Sequence, residues 1–134
     1  MTKDQKFPRV SVKVVFRNRK KVLYHKTKDG IRDIPGGHIE FGETLFDALK
    51  RELKEELDFN LKKEPKLLYV WTYFSRDKNI HRVYIVYLLD IPTRLKFKHR
   101  ERDDLKFIWL GKNEIKAQKF LPEMERLLLK AVDF

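Results

Sequence analysis

The strongest constraint on the fold lies between Gly37 and Phe59, where a glycine turn precedes a periodic run of leucines and glutamates. The leucines recur every four residues, at Leu45, Leu49, Leu53 and Leu57. This spacing predicts an amphipathic helix over roughly 45–57, with its leucine face buried in a core. Thr44 precedes the first leucine and is a suitable N-cap, because its hydroxyl can accept from a backbone amide of the first turn.

Three carboxylates lie at the edge of the leucine face, on Glu52, Glu55 and Glu56. On a helix these positions are neighbours, and at about 6 Å and an effective dielectric of about 20 each pair repels by roughly 2–3 kcal/mol. A divalent cation removes that cost, and hard carboxylate oxygens suit Mg²⁺ or Mn²⁺. The alternative is an ordinary solvated acidic face. The solvent side of the wheel is already filled by residues such as Asp47 and Lys54, which favours the metal hypothesis.

The whole stretch resembles the signature of the Nudix hydrolases, which cleave a nucleoside diphosphate linked to another group. That signature has a glycine, a glutamate, an Arg-Glu pair, a Glu-Glu pair and a closing glycine at fixed spacings. The positions in register are Gly37, Glu43, Arg51, Glu52, Leu53, Glu55, Glu56 and Phe59. Asp58 stands where the family has its last glycine, and aspartate tolerates the left-handed backbone of such a helix end better than most residues.

The resemblance implies a metal site and a reaction. It assigns Glu52, Glu55 and Glu56, together with the backbone carbonyl of Gly36, as ligands of Mg²⁺, with Mn²⁺ as the alternative. Metal ions would neutralise the phosphate oxygens and lower the pKa of bound water. The general base is then Glu55 or Glu56, or else Glu101 on a later loop. For Glu101 an ordinary surface acid beside two arginines is an equally good interpretation.

Other candidate residues would support the ligands or bind phosphate. Arg51 can bind a carboxylate through two hydrogen bonds and so fix its rotamer, and Glu43 can pair with Arg51. Lys26, Arg32 and His38 approach the glycine turn in the sequence and could contact a phosphate. The alternatives are surface cations for the first two and an exposed loop histidine for the third.

Composition restricts the remaining classes. The chain has 134 residues, a net charge of +11 and no cysteine, which excludes disulfides, zinc–thiolate sites and thiol catalysis. The charge could steer polyphosphates or RNA, although a solubilising surface is the simpler interpretation. No apolar run has transmembrane length and no signal peptide is visible. We therefore expect one Nudix domain over 1–134, cytoplasmic, without membrane contact, and a monomer or homodimer.

The rest of the chain predicts strands followed by a closing helix. We expect strands at 10–16, 21–27, 31–34, 67–74, 82–89 and 105–110, a loop from Gly36, and a last helix from Pro122. Because 67–74 and 82–89 are apolar on both faces, they indicate central strands. Trp71, Tyr73 and Tyr84 on these strands could stack a base, although such aromatics are more typical of a core. The order predicts an α/β (α+β) fold, similar to the Nudix α/β/α sandwich with a mixed sheet between helices.

Two classes of function remain. The first is a Mg²⁺-dependent hydrolase of the pyrophosphate linkage in a nucleoside triphosphate, ADP-ribose, a dinucleoside polyphosphate or an RNA 5′ end. The second is a non-catalytic Nudix-fold protein that binds a nucleotide or RNA, although such modules typically lose signature glutamates that this chain retains. Isomerases on the same fold depend on a cysteine, which this chain lacks.

Overall fold

The structure, a computed structural model, describes residues 6–134 as seven strands and three helices. In chain order these are β1 (Arg9–Asn18), β2 (Lys21–Lys26), β3 (Arg32–Asp33), β4 (Gly36–His38), α1 (Leu45–Leu57), β5 (Lys66–Phe74), β6 (His81–Asp90), β7 (Lys106–Leu110), α2 (Lys112–Ala117) and α3 (Pro122–Asp133).

The strands form one mixed sheet in the order β3-β2-β1-β6-β5. β1 and β6 are parallel over their whole length, with Val10 opposite Val83, whereas the other pairs are antiparallel. The remaining edge of β1 is divided between β2 at one end and β4 at the other, and β7 pairs with β2. The predicted mixed sheet is confirmed.

Helices cover both faces of this sheet and create two cores. On one face α1 buries Leu49 and Leu53 against Val12, Val14 and Phe16 of β1. On the other, α3 packs in a cluster built from Val15, Tyr24, Val86, Leu127 and Leu128. Alternate residues of a strand face opposite sides of the sheet, so β1 supplies both cores. Each fully buried leucine contributes about 1.5–3 kcal/mol.

The ends of α1 follow from its capping residues. The Thr44 hydroxyl accepts from the Asp47 amide at 3.1 Å, as predicted. At the other end Asp58 is left-handed, with φ of 54°. Its amide donates to the Lys54 carbonyl at 3.1 Å, and the Phe59 amide donates to a carbonyl one residue earlier at 3.2 Å. The bond from Asp58 to Lys54, made by a left-handed residue at the helix end, is that of the αL cap motif, and an aspartate takes the position that glycine usually holds.

Two predicted features are wrong, and one helix was not predicted. β5 lies at the edge of the sheet, not at its centre, and its Leu67, Val70 and Phe74 are exposed. Gly36–His38 is a strand where a loop was predicted, and helix α2 was not predicted. The new strand requires glycine, because a Cβ on Gly36 would collide with the backbone of β1. Within residues 6–134, none of the helices combines the length and apolar character that crossing a bilayer requires.

Candidate functional site

One cleft of about 310 Å³ gathers the predicted metal ligands and bases. Its walls are α1, the ends of β2 to β4, and the loop 91–105 that joins β6 to β7. The predicted residues that line it are Gly36, Glu52, Glu55, Glu56 and Glu101. Carboxylates from the helix and from the loop therefore share one cleft, although they are far apart in the sequence.

Glu56 is a largely buried carboxylate of this cleft. Its side chain is 20% exposed, and the Gly36 amide donates to its Oε2 at 3.2 Å. Burial raises the pKa of Glu56 to about 7, and the neighbouring Lys13 ammonium counteracts only part of that rise. An ionised carboxylate at this position needs further positive charge, which a divalent cation would supply.

Arg51 holds the other acidic residues in place. Its Nε and Nη2 donate to the two oxygens of Glu43 at 2.7 and 2.9 Å, so the predicted pair is present. Its Nη1 donates to Glu52 at 2.9 Å and to Glu55 at 3.3 Å, and Nη2 also donates to the His38 carbonyl at 3.1 Å. The hydrogen bonds from Arg51 lower the pKa of Glu43 to about 2.

The carboxylate oxygens that line the cleft fit a hard divalent cation in their chemistry. A side chain at Gly37 would force the Glu52 carboxylate to move, because a Cβ there would lie 2.5 Å from the carboxyl carbon of Glu52. The glycine thus lets this carboxylate lie against the backbone at the start of the signature. Within residues 6–134 no three acidic or histidine side chains already converge as a metal-binding group. Glu52 and Glu55 are paired with Arg51 instead, so a cation would have to share them with this arginine.

Several residues of the carboxylate cleft were missed by the sequence analysis. Lys13 is 12% exposed and donates to Asp33 at 3.2 Å and to the Ile34 carbonyl at 3.3 Å. His25 also lines the cleft; burial lowers its pKa to about 4, and its Nδ1 has no hydrogen-bond partner among the described residues. The available signal was Lys13 itself, a lysine inside a strand of valines. His99 on the 91–105 loop gave no such signal.

A second cleft of about 190 Å³ adjoins the first. The two share the lining residues Lys13, Asp33 and Ile34. Its aromatic wall contains Tyr73 and the stacked pair Trp71 and Tyr84, whose ring centroids are 4.9 Å apart at an interplanar angle of 25°. These rings are half-buried, and Trp71 and Tyr84 also pack against the core cluster beneath α3. They therefore belong partly to the core and partly to the cleft wall.

The three predicted phosphate contacts are not brought together with the carboxylates. Lys26 lines a different hollow, because it faces the opposite side of β2 from His25. Arg32 lines the aromatic cleft but donates to the carbonyls of Gly30 and Lys119, each at 3.3 Å. His38 lines neither cleft. Its Nδ1 lies 2.8 Å from a serine hydroxyl of β1, and burial lowers its pKa.

Comparison with known families agrees with this geometry. The family model described as NUDIX domain matches residues 7–131. The chain belongs to the Nudix family. An ADP-ribose pyrophosphatase of Methanocaldococcus jannaschii is 36% identical over 88 residues, which is 63% of this chain and 52% of that protein. An uncharacterized Nudix hydrolase of a Nostoc species is 35% identical over 82 residues, covering 60% of this chain and 46% of that one. The Nudix chain thus spans about half the length of these curated relatives.

Solved structures share the fold over nearly all of the chain. The MutT NUDIX hydrolase from Burkholderia pseudomallei superposes with a TM-score of 0.76 at 25% identity, covering 95% of this chain and 99% of that one. The NUDIX domain of Shewanella oneidensis NrtR, solved with ADP ribose, gives 0.73 at 20% identity and covers 98% and 90%. These matches confirm the predicted Nudix sandwich.

The departure from the Nudix signature at Asp58 leaves the carboxylate cleft intact. The aspartate adopts the left-handed conformation that the glycine would adopt, and its carboxylate accepts from Lys54 at 2.6 Å. Because it ends the helix at the same turn, the glutamates keep their positions on α1. This Nudix domain therefore retains the helix geometry of the signature with a different terminal residue.

Proposed function

We propose that this Nudix chain is a Mg²⁺-dependent hydrolase that cleaves the pyrophosphate linkage of a nucleoside diphosphate derivative, with Mn²⁺ as an alternative metal. The observation that carries the proposal is the junction of two clefts. One is lined by Glu52, Glu55 and Glu56, the other by stacked aromatic rings, and Lys13 and Asp33 belong to both. A ligand with phosphates at one end and a base at the other matches that junction.

In this proposal the carboxylates of Glu52, Glu55 and Glu56 and the Gly36 carbonyl hold the metal. When bound, the cation neutralises phosphate oxygens and lowers the pKa of a bound water. Arg51 keeps two of these glutamates in fixed rotamers, because it donates to both of them.

A carboxylate of the same cleft accepts the proton of the attacking water. The water oxygen forms the new bond to phosphorus, and the bond from that phosphorus to the bridging oxygen breaks, leaving two phosphate-bearing products. Glu55, Glu56 and Glu101 are the candidates, since all three line the cleft. Glu101 differs from the others in coming from the loop 91–105 and not from α1, so it can act without giving up a ligand position.

The aromatic cleft would take the nucleoside part of the substrate. Planar bases stack on aromatic side chains, and Trp71 and Tyr84 offer half-buried ring faces there. Arg82 lines the same cleft and lies beside the Tyr84 hydroxyl, at 3.4 Å. Lys13 sits where the two clefts meet, so its ammonium would face the phosphates. The net charge of +11 would raise the encounter rate with polyanions.

The substrate candidates are nucleoside triphosphates, ADP-ribose, dinucleoside polyphosphates and RNA 5′ ends. ADP-ribose is the first to test, because the relative from Methanocaldococcus jannaschii is named as an ADP-ribose pyrophosphatase. The match covers about half of that protein. Its name therefore decides which substrate is tested first and does not identify the substrate of this chain.

The test is hydrolysis of this panel by the unmodified chain and by Glu56→Gln, with Mg²⁺, with Mn²⁺ and with EDTA. A matched control is Glu64→Gln, which removes an exposed glutamate that lines neither cleft. We expect metal-dependent turnover that falls at least about 100-fold in Glu56→Gln and is unchanged in the control. Binding of ADP-ribose without turnover would instead indicate the non-catalytic alternative. Salt-sensitive nucleic-acid binding that survives Glu56→Gln would indicate an RNA-binding protein.

A further inference from the structure

The loop 91–105 is fastened to the end of the helix that carries the glutamates. The Arg100 amide donates to the backbone carbonyl of Glu56 at 2.7 Å, satisfying one of the carbonyls that a helix end leaves free. Phe97 on the same loop packs against Phe16, with ring centroids 4.9 Å apart. The loop is therefore held by an apolar contact at Phe97, before His99, and by a backbone hydrogen bond at Arg100, after it.

His99 has a fixed hydrogen-bonding role within this loop. Its side chain is 10% exposed, and its Nδ1 lies 3.1 Å from the backbone amides of both Glu101 and Arg102. Because amides can only donate, Nδ1 is the acceptor, and a neutral imidazole then carries its proton on Nε2. Burial lowers the pKa of His99, which is consistent with the neutral ring.

The protonated edge of this ring faces the carboxylate cleft. His99 Nε2 lies 4.0 Å from Glu56 Oε1, about 1 Å beyond an ordinary hydrogen bond. The other oxygen of the same carboxylate already accepts from the Gly36 amide. The ring thus connects a turn that carries one candidate base, Glu101, with the buried carboxylate of a candidate ligand, Glu56.

We propose that His99 is a positioning residue for both walls of the cleft. Its Nδ1 holds the turn that presents Glu101, and its Nε2–H lies 4.0 Å from Glu56 Oε1, where it favours the ionised carboxylate by electrostatics and not by a hydrogen bond. The expected effect of His99 on kcat rests on the proposed function, whereas its hydrogen bonds within the loop do not. A buried loop histidine without such a role would tolerate any isosteric polar replacement.

Two substitutions separate the two contacts. His99→Asn keeps an acceptor near the Nδ1 position and lacks the distant N–H, whereas His99→Gln reaches the Nε2 position with an amide donor and lacks the near acceptor. Lys98→Gln, an exposed position on the same loop, is the control. Three measurements apply to each protein: hydrogen exchange of the Glu101 and Arg102 amides, nitrogen shifts of the imidazole, and kcat with KM on the best substrate of the panel.

In the unmodified chain we expect an unprotonated Nδ1 and protected amides at Glu101 and Arg102. Exchange of both amides should be at least about tenfold faster in His99→Gln and near normal in His99→Asn, because each hydrogen bond contributes about 1.4 kcal/mol, a factor of ten. We expect kcat to fall about tenfold in both variants, with KM within about twofold, because the affected groups face the reacting atoms. The Lys98→Gln control should match the unmodified chain.

A proton on Nδ1, or normal amide exchange in His99→Gln, would overturn the first contact. An unchanged kcat in His99→Asn would overturn the second. If the unmodified chain hydrolyses no member of the panel, the proposed function fails, whereas the exchange and nitrogen-shift data still decide whether His99 holds the loop.

Discussion

The buried carboxylate of Glu56 predicts that its removal stabilises the metal-free protein. Burial raises the pKa of Glu56 from an ordinary 4.5 to about 7, and one pH unit of difference corresponds to about 1.4 kcal/mol. A raised carboxyl pKa means that the folded state holds the proton more tightly than the unfolded state. The favourable contribution is therefore complete below pH 4.5 and is lost as the pH rises through 7. Relative to a neutral side chain, the carboxyl group of Glu56 thus costs about 3 kcal/mol of stability at pH 8, where it is ionised in the folded state, and about 1 kcal/mol at pH 5, where mainly the unfolded state is ionised.

The assay is thermal and urea unfolding of the unmodified chain and Glu56→Gln in EDTA at pH 8 and pH 5. A glutamine keeps a carbonyl oxygen that can accept from the Gly36 amide, so the native hydrogen bond survives. We expect the variant to be more stable by about 2–3 kcal/mol at pH 8, raising Tm by roughly 6–12 °C, and by about 1 kcal/mol at pH 5. Adding Mg²⁺ should stabilise the unmodified chain more than the variant, because the cation binds the ionised folded state.

Two outcomes would refute this reasoning. Glu56→Gln could be no more stable than the unmodified chain at pH 8 in EDTA, which would mean that the carboxylate is adequately solvated. Alternatively, the stability difference could persist unchanged at pH 5, which would assign it to packing and not to charge. Glu64→Gln in the same buffers controls for the general loss of one negative charge from a strongly cationic protein.

Three further predictions concern the supports of the site and the fold. Asp58→Ala should lower the free energy of unfolding in urea by about 1 kcal/mol, because alanine resists the left-handed cap, whereas Asp58→Gly should not. Arg17 donates to Asp90 at 2.6 and 2.8 Å, and these bonds raise the pKa of Arg17. Arg17→Ala should therefore lower the free energy of unfolding by about 1–3 kcal/mol in the same assay. An unchanged free energy of unfolding would contradict this prediction. Gly37→Ala should reduce hydrolysis at least about tenfold with an unchanged circular dichroism spectrum, because its Cβ would displace Glu52; normal activity would show that the carboxylate can move without consequence.

The sequence predicted α1 to the residue because local signals at every level agreed. The leucine period, the Thr44 cap and the aspartate at the end of the helix all concern interactions within a few residues. The same holds for the start of α3 at Pro122. Where the determinants of an element are local, the pattern in the sequence is sufficient.

The edge position of β5 could not be predicted by the same means. Apolar residues on both faces are consistent with a central strand and equally with an edge strand whose outer face is exposed. What distinguishes the two is the presence of a neighbouring strand, which depends on the whole topology. Among the described strands β5 pairs with β6 alone, and its Trp71 and Tyr73 line the aromatic cleft.

The residues of the candidate site also differ in whether local sequence or the whole topology determines their position. The helix glutamates were predicted because one helix and one glycine turn place them together. His99 was not, because its position depends on a backbone bond between Arg100 and the Glu56 carbonyl, and no side-chain pattern encodes a backbone contact across 44 positions. The phosphate contacts stay predictions, and strand alternation and pairing place Lys26 and His38 outside the carboxylate cleft, although both are close to the glycine turn in sequence. Nearness along the chain therefore identified candidate ligands on a helix, whereas the residue that we propose positions them had to be found from the fold.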